Sequence, residues 1–142
     1  MTVQRILNEK GREVTTCGPD ASLAEIASIL ATQKIGAVVI SQGDSIAGIL
    51  SERDIVRAVA HDGGTALKRK ARDYMTEKVI TCSLHDTIND LMQKMSGGRF
   101  RHLPIVEDGK LVGIVSIGDV VKRRIAEIEQ EADSIREYIA TA

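Results

Sequence analysis

Ile46-Ala47-Gly48-Ile49-Leu50-Ser51 reads as a β-strand ending on a hydroxyl, and 65 residues later the chain repeats it as Leu111-Val112-Gly113-Ile114-Val115-Ser116. The same shift, without a gap, aligns Val14-Thr15-Thr16-Cys17 with Val79-Ile80-Thr81-Cys82, Asp54 with Asp119 and Val56 with Val121. One register held over about forty-five positions marks a tandem duplication. Two copies are fewer than the ~3 stacked units a solenoid needs. They are therefore expected to pack face to face and bury each other's apolar sides.

Outward from that stretch, each copy reads alike. A short strand (14–17; 79–82) precedes a helix with a capping signal, Ser22 with Glu25 and Thr87 with Asp90. Leu23, Ile26, Ala27 and Leu30 form the apolar stripe of that helix in copy one, and Ile88, Leu91, Met92 and Met95 in copy two. Two strands follow (37–41 and 46–50; 103–106 and 111–115), joined by turns at Gly43-Asp44 and Asp108-Gly109. A second helix starts at Ser51 or Ser116. The fold class is α+β, two pseudo-twofold-related β-α-β-β-α units packed sheet to sheet.

Residues 61–74, with Lys68-Arg69-Lys70 and Arg72, could hold an anion but read better as a solvated helical connector. Beyond the second copy, Ile125, Ile128, Ala132, Ile135 and Ile139 share one helical stripe. That helix either docks on its own domain or pairs with another chain.

Composition narrows the function. The 142 residues carry 19 Lys+Arg against 20 Asp+Glu, a net charge of −1, so a nucleic-acid partner is not expected. Aromatics at 2% rule against binding bases by stacking on aromatic platforms. With 43% hydrophobic residues, a chain of this length buries roughly 68–70% of its unfolded surface and needs no staple. Cys17 and Cys82 are too few for a disulfide scaffold, have no zinc-ligand spacing with the three histidines, and read as small buried residues. No apolar run approaches the ~20 residues of a membrane span. The first ten residues lack the apolar segment of a secretory signal, so a cytoplasmic location is expected.

The stretch with chemical promise is Gly48-Ile49-Leu50-Ser51-Glu52-Arg53-Asp54, with its copy Gly113-Ile114-Val115-Ser116-Ile117-Gly118-Asp119. Ser-x-x-Asp at a helix start is a capping box, which would explain it on structural grounds alone. The same helix start offers free amides and positive dipole to a phosphate, and a carboxylate one turn in can accept both hydroxyls of a ribose. Glycine in the strand leaves room for a ligand or another backbone. Gly97-Gly98-Arg99-Phe100-Arg101-His102-Leu103-Pro104 adds a compact cationic cluster, or else a solvated loop with Phe100 in the core. No histidine is repeated beside Ser51, Ser116, Cys17 or Cys82, and there is no metal cluster or P-loop lysine, so catalysis is not expected.

These two motifs, with Gly98-Arg99-Phe100-Arg101-His102-Leu103-Pro104-Ile105, resemble a pair of cystathionine-β-synthase (CBS) domains, a Bateman module, over about residues 3–128. The phrase running from Gly48 through Ile55-Val56-Arg57 is similar to small stand-alone CBS-pair proteins. The resemblance implies units at 3–64 and 77–128, a linker at 65–76 and a helical tail at 129–142. It also implies two clefts binding AMP, ADP, ATP or NAD(H), sometimes S-adenosylmethionine, in a non-catalytic regulatory homodimer that signals to a partner protein. Carried over, Asp54 and Asp119 would hold ribose hydroxyls, Ser51 and Ser116 phosphate or ribose, and the backbones of Thr16 and Thr81 the adenine edge. Ile35, Gly36 and Ala37 would flank the ligand from copy one, and Arg99, Arg101, His102 and Pro104 from copy two. Where copy two has Arg101-His102, copy one has Gly36-Ala37, and Arg53 stands where copy two has Gly118. The two sites are therefore expected to be unequal. Two other readings remain: a dimerisation or interaction module in which the motifs serve only as helix caps, and a redox-linked regulator of thioredoxin type.

Overall fold

The computed structural model describes residues 2–98 and 100–141. Its order is α1 (Val3–Lys10), β1 (Thr16–Cys17), α2 (Leu23–Gln33), β2 (Ala37–Gln42), β3 (Ser45–Ser51) and α3 (Glu52–Asp62). Two 3-10 turns, Gly63–Lys68 and Ala71–Asp73, lead to α4 (Ile88–Gly98), β4 (His102–Glu107), β5 (Lys110–Ser116) and α5 (Ile117–Thr141). The chain is α+β, with two small sheets, one per copy.

Each sheet is an antiparallel hairpin with a register shift at the same place, Ile40/Ser41 and Ile105/Val106. The Asp108-Gly109 turn takes φ of +50° and +75°, the left-handed pair that a two-residue hairpin requires. In copy one β1 adds a parallel third strand, and Val39 N–H donates to Thr15 O at 3.2 Å. The strand expected at 79–82 shrinks to a single bridge between Cys82 and Ile105. Pro104 is the cause. It stands in the register of Val39 and has no N–H to donate, so the ladder is left with Cys82 N–H to Pro104 O and Val106 N–H to Cys82 O.

The inward faces of β2 and β3, Val38, Ile40 and Leu50, pack on Leu23, Ile26 and Leu30 of α2. In copy two Leu103, Ile105 and Val115 pack on Ile88, Leu91 and Met95. Ala37 and Val39 point the other way yet are also buried, as is Pro104, so the outer faces of the hairpins are covered as well. Met92, expected in the buried stripe, is 43% exposed, because α4 turns it outward beside α5.

Neither copy is built only from its own residues. Val3, Ile6 and Leu7 of α1 lie in the core of copy two, although they precede copy one. Leu7 Cδ2 lies so close to β5 that a side chain at Gly113 would meet it at 2.8 Å. The connector between copies closes copy one in the same way. Ala66 and Ala71 are fully buried there, and Thr76 pairs with Ile49 through two backbone bonds of 2.9 and 3.0 Å. The connector is thus docked rather than solvated. Its cations remain outside, where Arg72 and Lys70 pair with Asp20, and Arg69 lies 4.0 Å from Asp62. The tail is one uninterrupted helix with the second helix of copy two, and its isoleucine stripe is exposed in the single chain.

Candidate functional site

Both Ser-x-x-Asp motifs form complete capping boxes. Ser51 N–H and Oγ donate to Asp54 Oδ2 at 2.9 and 3.1 Å, and Asp54 N–H donates to Ser51 Oγ at 3.3 Å. In copy two Ser116 N–H and Oγ reach Asp119 Oδ2 at 2.8 and 3.0 Å, and Asp119 N–H reaches Ser116 Oγ at 3.2 Å. The box uses one carboxylate oxygen, and nothing among the described residues bonds Asp54 Oδ1. Capping and ligand binding are therefore compatible in one aspartate.

A cavity of about 320 Å³ opens beside Asp54. Its wall carries Ser51, Arg53, Asp54 and Arg57 from β3 and α3, Gly36 ahead of β2, and Arg101 and His102 from copy two. Ile49, Thr76 and Phe100 supply apolar and backbone surface. A side chain at Gly98 would strike Phe100, so that glycine lets the ring fold over the end of α4. Three guanidinium groups face Asp54 and Glu52 here, a surplus of positive charge suited to a phosphate.

A second cavity, of about 300 Å³, lies on the other side of Gly36 and His102. Those two residues line both cavities and touch, since a Cβ at Gly36 would stand 3.0 Å from His102 Nε2. Lys10, Glu13, Val14, Thr15, Lys34, Ile35, Ala37, Ile114 and Ser116 complete this wall. Asp119 does not line it. Lys10 Nζ donates to Asp119 Oδ2 at 2.5 Å, and Lys10 takes the position on the wall. Burial alone would raise the Asp119 pKa, but the bond and charge of Lys10 and the Ser116 N–H outweigh it and hold the carboxyl below its usual range. His102 titrates below the ordinary histidine range, chiefly through burial, with Lys10 and Arg101 adding to the shift against Glu52 and Asp119.

The duplicated unit finds its counterpart among known proteins. The CBS domain profile matches twice, at residues 8–61 and 71–126. The chain belongs to the CBS domain family. Its relatives include the mitochondrial CBS domain-containing protein CBSX3 of Arabidopsis thaliana, 30% identical over 97% of this chain and 71% of that protein. The crystal structure of the CBS-domain protein ATU1752 from Agrobacterium tumefaciens superposes with a TM-score of 0.86 at 47% identity, covering 87% of this chain and 99% of the other. PAE2072 from Pyrobaculum aerophilum, solved with AMP, matches at TM-score 0.74 and 28% identity over 84% of this chain and 89% of the other. The CBS pair of MJ0100, solved with 5′-methylthioadenosine and S-adenosyl-L-methionine, matches at TM-score 0.79 and 26% identity over 89% and 98%.

Within this CBS pair, the first cleft gathers Gly36, Ser51, Arg53, Asp54, Arg101 and His102 of the residues singled out in the sequence, and the second gathers Ile35, Gly36, Ala37, His102 and Ser116. Thr16, Thr81 and Pro104 line neither. Thr16 is exposed on β1, Thr81 O accepts from Lys94 Nζ at 3.0 Å, and Pro104 is buried in β4, opposite Ile114 of β5. Arg99 lies outside the described residues. Sequence reading missed Lys10, Thr76 and Arg57. The first two come from segments that precede each copy, and only the crossed packing brings them in. Arg57 was legible, since it stands one helical turn beyond Asp54. Among the described residues no group of three or more His, Cys, Asp and Glu side chains is placed to hold a metal ion, and no helix is long and apolar enough to cross a membrane. Burial pushes the Cys82 thiol up to about 12, with Asp86 adding and Lys94 opposing, so it is protonated at neutral pH.

Proposed function

We propose that this CBS pair is a non-catalytic regulatory module that binds an adenine nucleotide, AMP, ADP, ATP or NAD(H), between its two units. The carrying observation is the cavity beside Asp54, where an uncommitted carboxylate oxygen stands at the start of a helix among three arginines. Asp54 Oδ1 accepts from the ribose hydroxyls, the helix start and Arg53, Arg57 and Arg101 face the phosphate, and Ile49 and Thr76 border the base. The AMP complex of PAE2072 supports an adenine nucleotide as the ligand, and at about 320 Å³ the cavity falls in the usual range for small-molecule sites, ~300–1,000 Å³.

The module works as a cytoplasmic homodimer. Val56 of α3 and its repeat partner Val121 of α5 are both at least half exposed, and Ile125, Ile128, Ile135 and Ile139 extend that apolar stripe along α5. Such a stripe marks a helix face that packs on a partner. Sedimentation should give twice the chain mass, and Val121→Asp should return it to the monomer.

S-adenosylmethionine is the second reading, favoured by the MJ0100 complex. Calorimetry with AMP, ATP, NADH and S-adenosylmethionine separates the two. The arginine-rich wall predicts that phosphate-bearing ligands bind more tightly than the cationic sulfonium. Failure of all four to bind would leave the motifs as helix caps in an interaction module.

A further inference from the structure

In the 65-residue register that relates the two copies, residue 10 falls opposite residue 75, and the two positions carry different chemistry. Met75 ahead of copy two lies apolar against Gly48, where a Cβ would meet its sulfur at 2.8 Å. Lys10 ahead of copy one reaches across to Asp119. The end of α1 is held there twice, since Glu9 pairs with Arg123, one turn along α5 from Asp119. Beneath those ion pairs Val3, Ile6 and Leu7 are fixed in the core of copy two, so the ammonium is carried by an anchored helix. Around this cleft the charged and titratable groups are Lys10, Glu13, Lys34, His102 and Asp119. Among the described residues no lysine or arginine pairs with Asp54 of the first cleft in this way.

Resting on the nucleotide-binding reading of the clefts, we infer that Lys10 is the residue that makes them unequal: its ammonium pairs with Asp119 and stands on the cleft wall in the aspartate's place, so an adenosine ligand fills the Asp54 cleft first and reaches Asp119 only by displacing Lys10. Occupancy of the second cleft thereby releases one of the two ion pairs that hold the end of α1. A ribose hydroxyl carries no charge, so it competes poorly for the carboxylate with an ammonium, which adds ion-pair attraction to its hydrogen bond. The mechanism differs from a phosphate contact, in which Lys10 would help the ligand bind.

Titration of the full chain with AMP and, separately, with adenosine distinguishes these roles. The wild type should bind one AMP tightly per chain. Lys10→Met, which makes position 10 like position 75, should gain a second site, tightened about 10- to 100-fold for both AMP and adenosine, the effect of one charge-assisted bond. The gain should vanish in Lys10→Met combined with Asp119→Asn. Lys10 is part-exposed at a helix end, so the variant retains the fold, and Lys10→Gln serves as a second form. Wild-type binding at one site that Lys10→Met leaves unchanged overturns the latch alone. Weaker AMP binding with unchanged adenosine binding overturns it in favour of a phosphate ligand. No binding of AMP to either protein overturns the latch together with the nucleotide-binding reading.

Discussion

The two clefts share strands, turns, helix starts and capping boxes, yet one is lined by its aspartate among arginines, while in the other a lysine paired with the aspartate stands on the wall in its place. Duplication supplied the common geometry. The difference comes from the segments that close each copy from outside it, α1 on copy two and the connector with its buried Ala66 and Ala71 on copy one. Those segments share register but not structure, one being an α-helix and the other 3-10 turns. A repeat thus conserves backbone placement while the crossing segments diversify the sites.

The sharpest way to break this comparison is to remove a crossing contact. Leu7→Ala should destabilise the protein by about 2–5 kcal/mol, the usual range for a buried leucine. Its fingerprint is location: amide exchange should speed up in α4 and β5 of copy two rather than in copy one, which follows Leu7 directly. Protection lost first in β2 and β3 would mean that α1 belongs to its sequence neighbour.

A smaller effect is expected where the crossing segments touch the paired glycines. Gly48→Ala and Gly113→Ala should each cost about 1–3 kcal/mol by overpacking. Gly48→Ala should cost more. Its new methyl meets the backbone oxygen of Thr76 at 2.8 Å, whereas at Gly113 it meets the movable end of Leu7. Urea denaturation of both variants orders them, and the reverse order would contradict the docked connector.

The smallest effect is on pH dependence. His102, shared by both clefts, titrates below its unfolded value. The unfolded chain therefore binds the proton more readily, and this histidine's contribution is complete above about pH 6.5 and lost as pH falls below it. Thermal melts between pH 7.5 and 5 should drop less steeply for His102→Asn than for the wild type. Equal slopes would place His102 in a more open setting.

Much of the fold was legible because a 65-residue register is a strong signal and each copy has local turn and cap chemistry. Ser51-Asp54 and Asp108-Gly109 specify their geometry within four residues. What was not legible depends on long-range placement. The loss of the third strand in copy two follows from Pro104, a residue visible in the sequence, once its register opposite Thr81 is known. The connector read as solvated because its lysines and arginines dominate its composition, while two buried alanines decide its packing. Lys10 gave no signal at all, since its partner stands 109 residues away.

The most direct measurement is calorimetric titration of AMP into the wild type, Asp54→Asn and Asp119→Asn. The asparagine keeps a cap acceptor at each helix start while removing the charge that meets the ribose. The account predicts that Asp54→Asn weakens the tight site about 10- to 100-fold, or roughly 1.5–3 kcal/mol, and that Asp119→Asn leaves that site intact. AMP affinity equal in all three proteins, or lost through Asp119 instead, would contradict it.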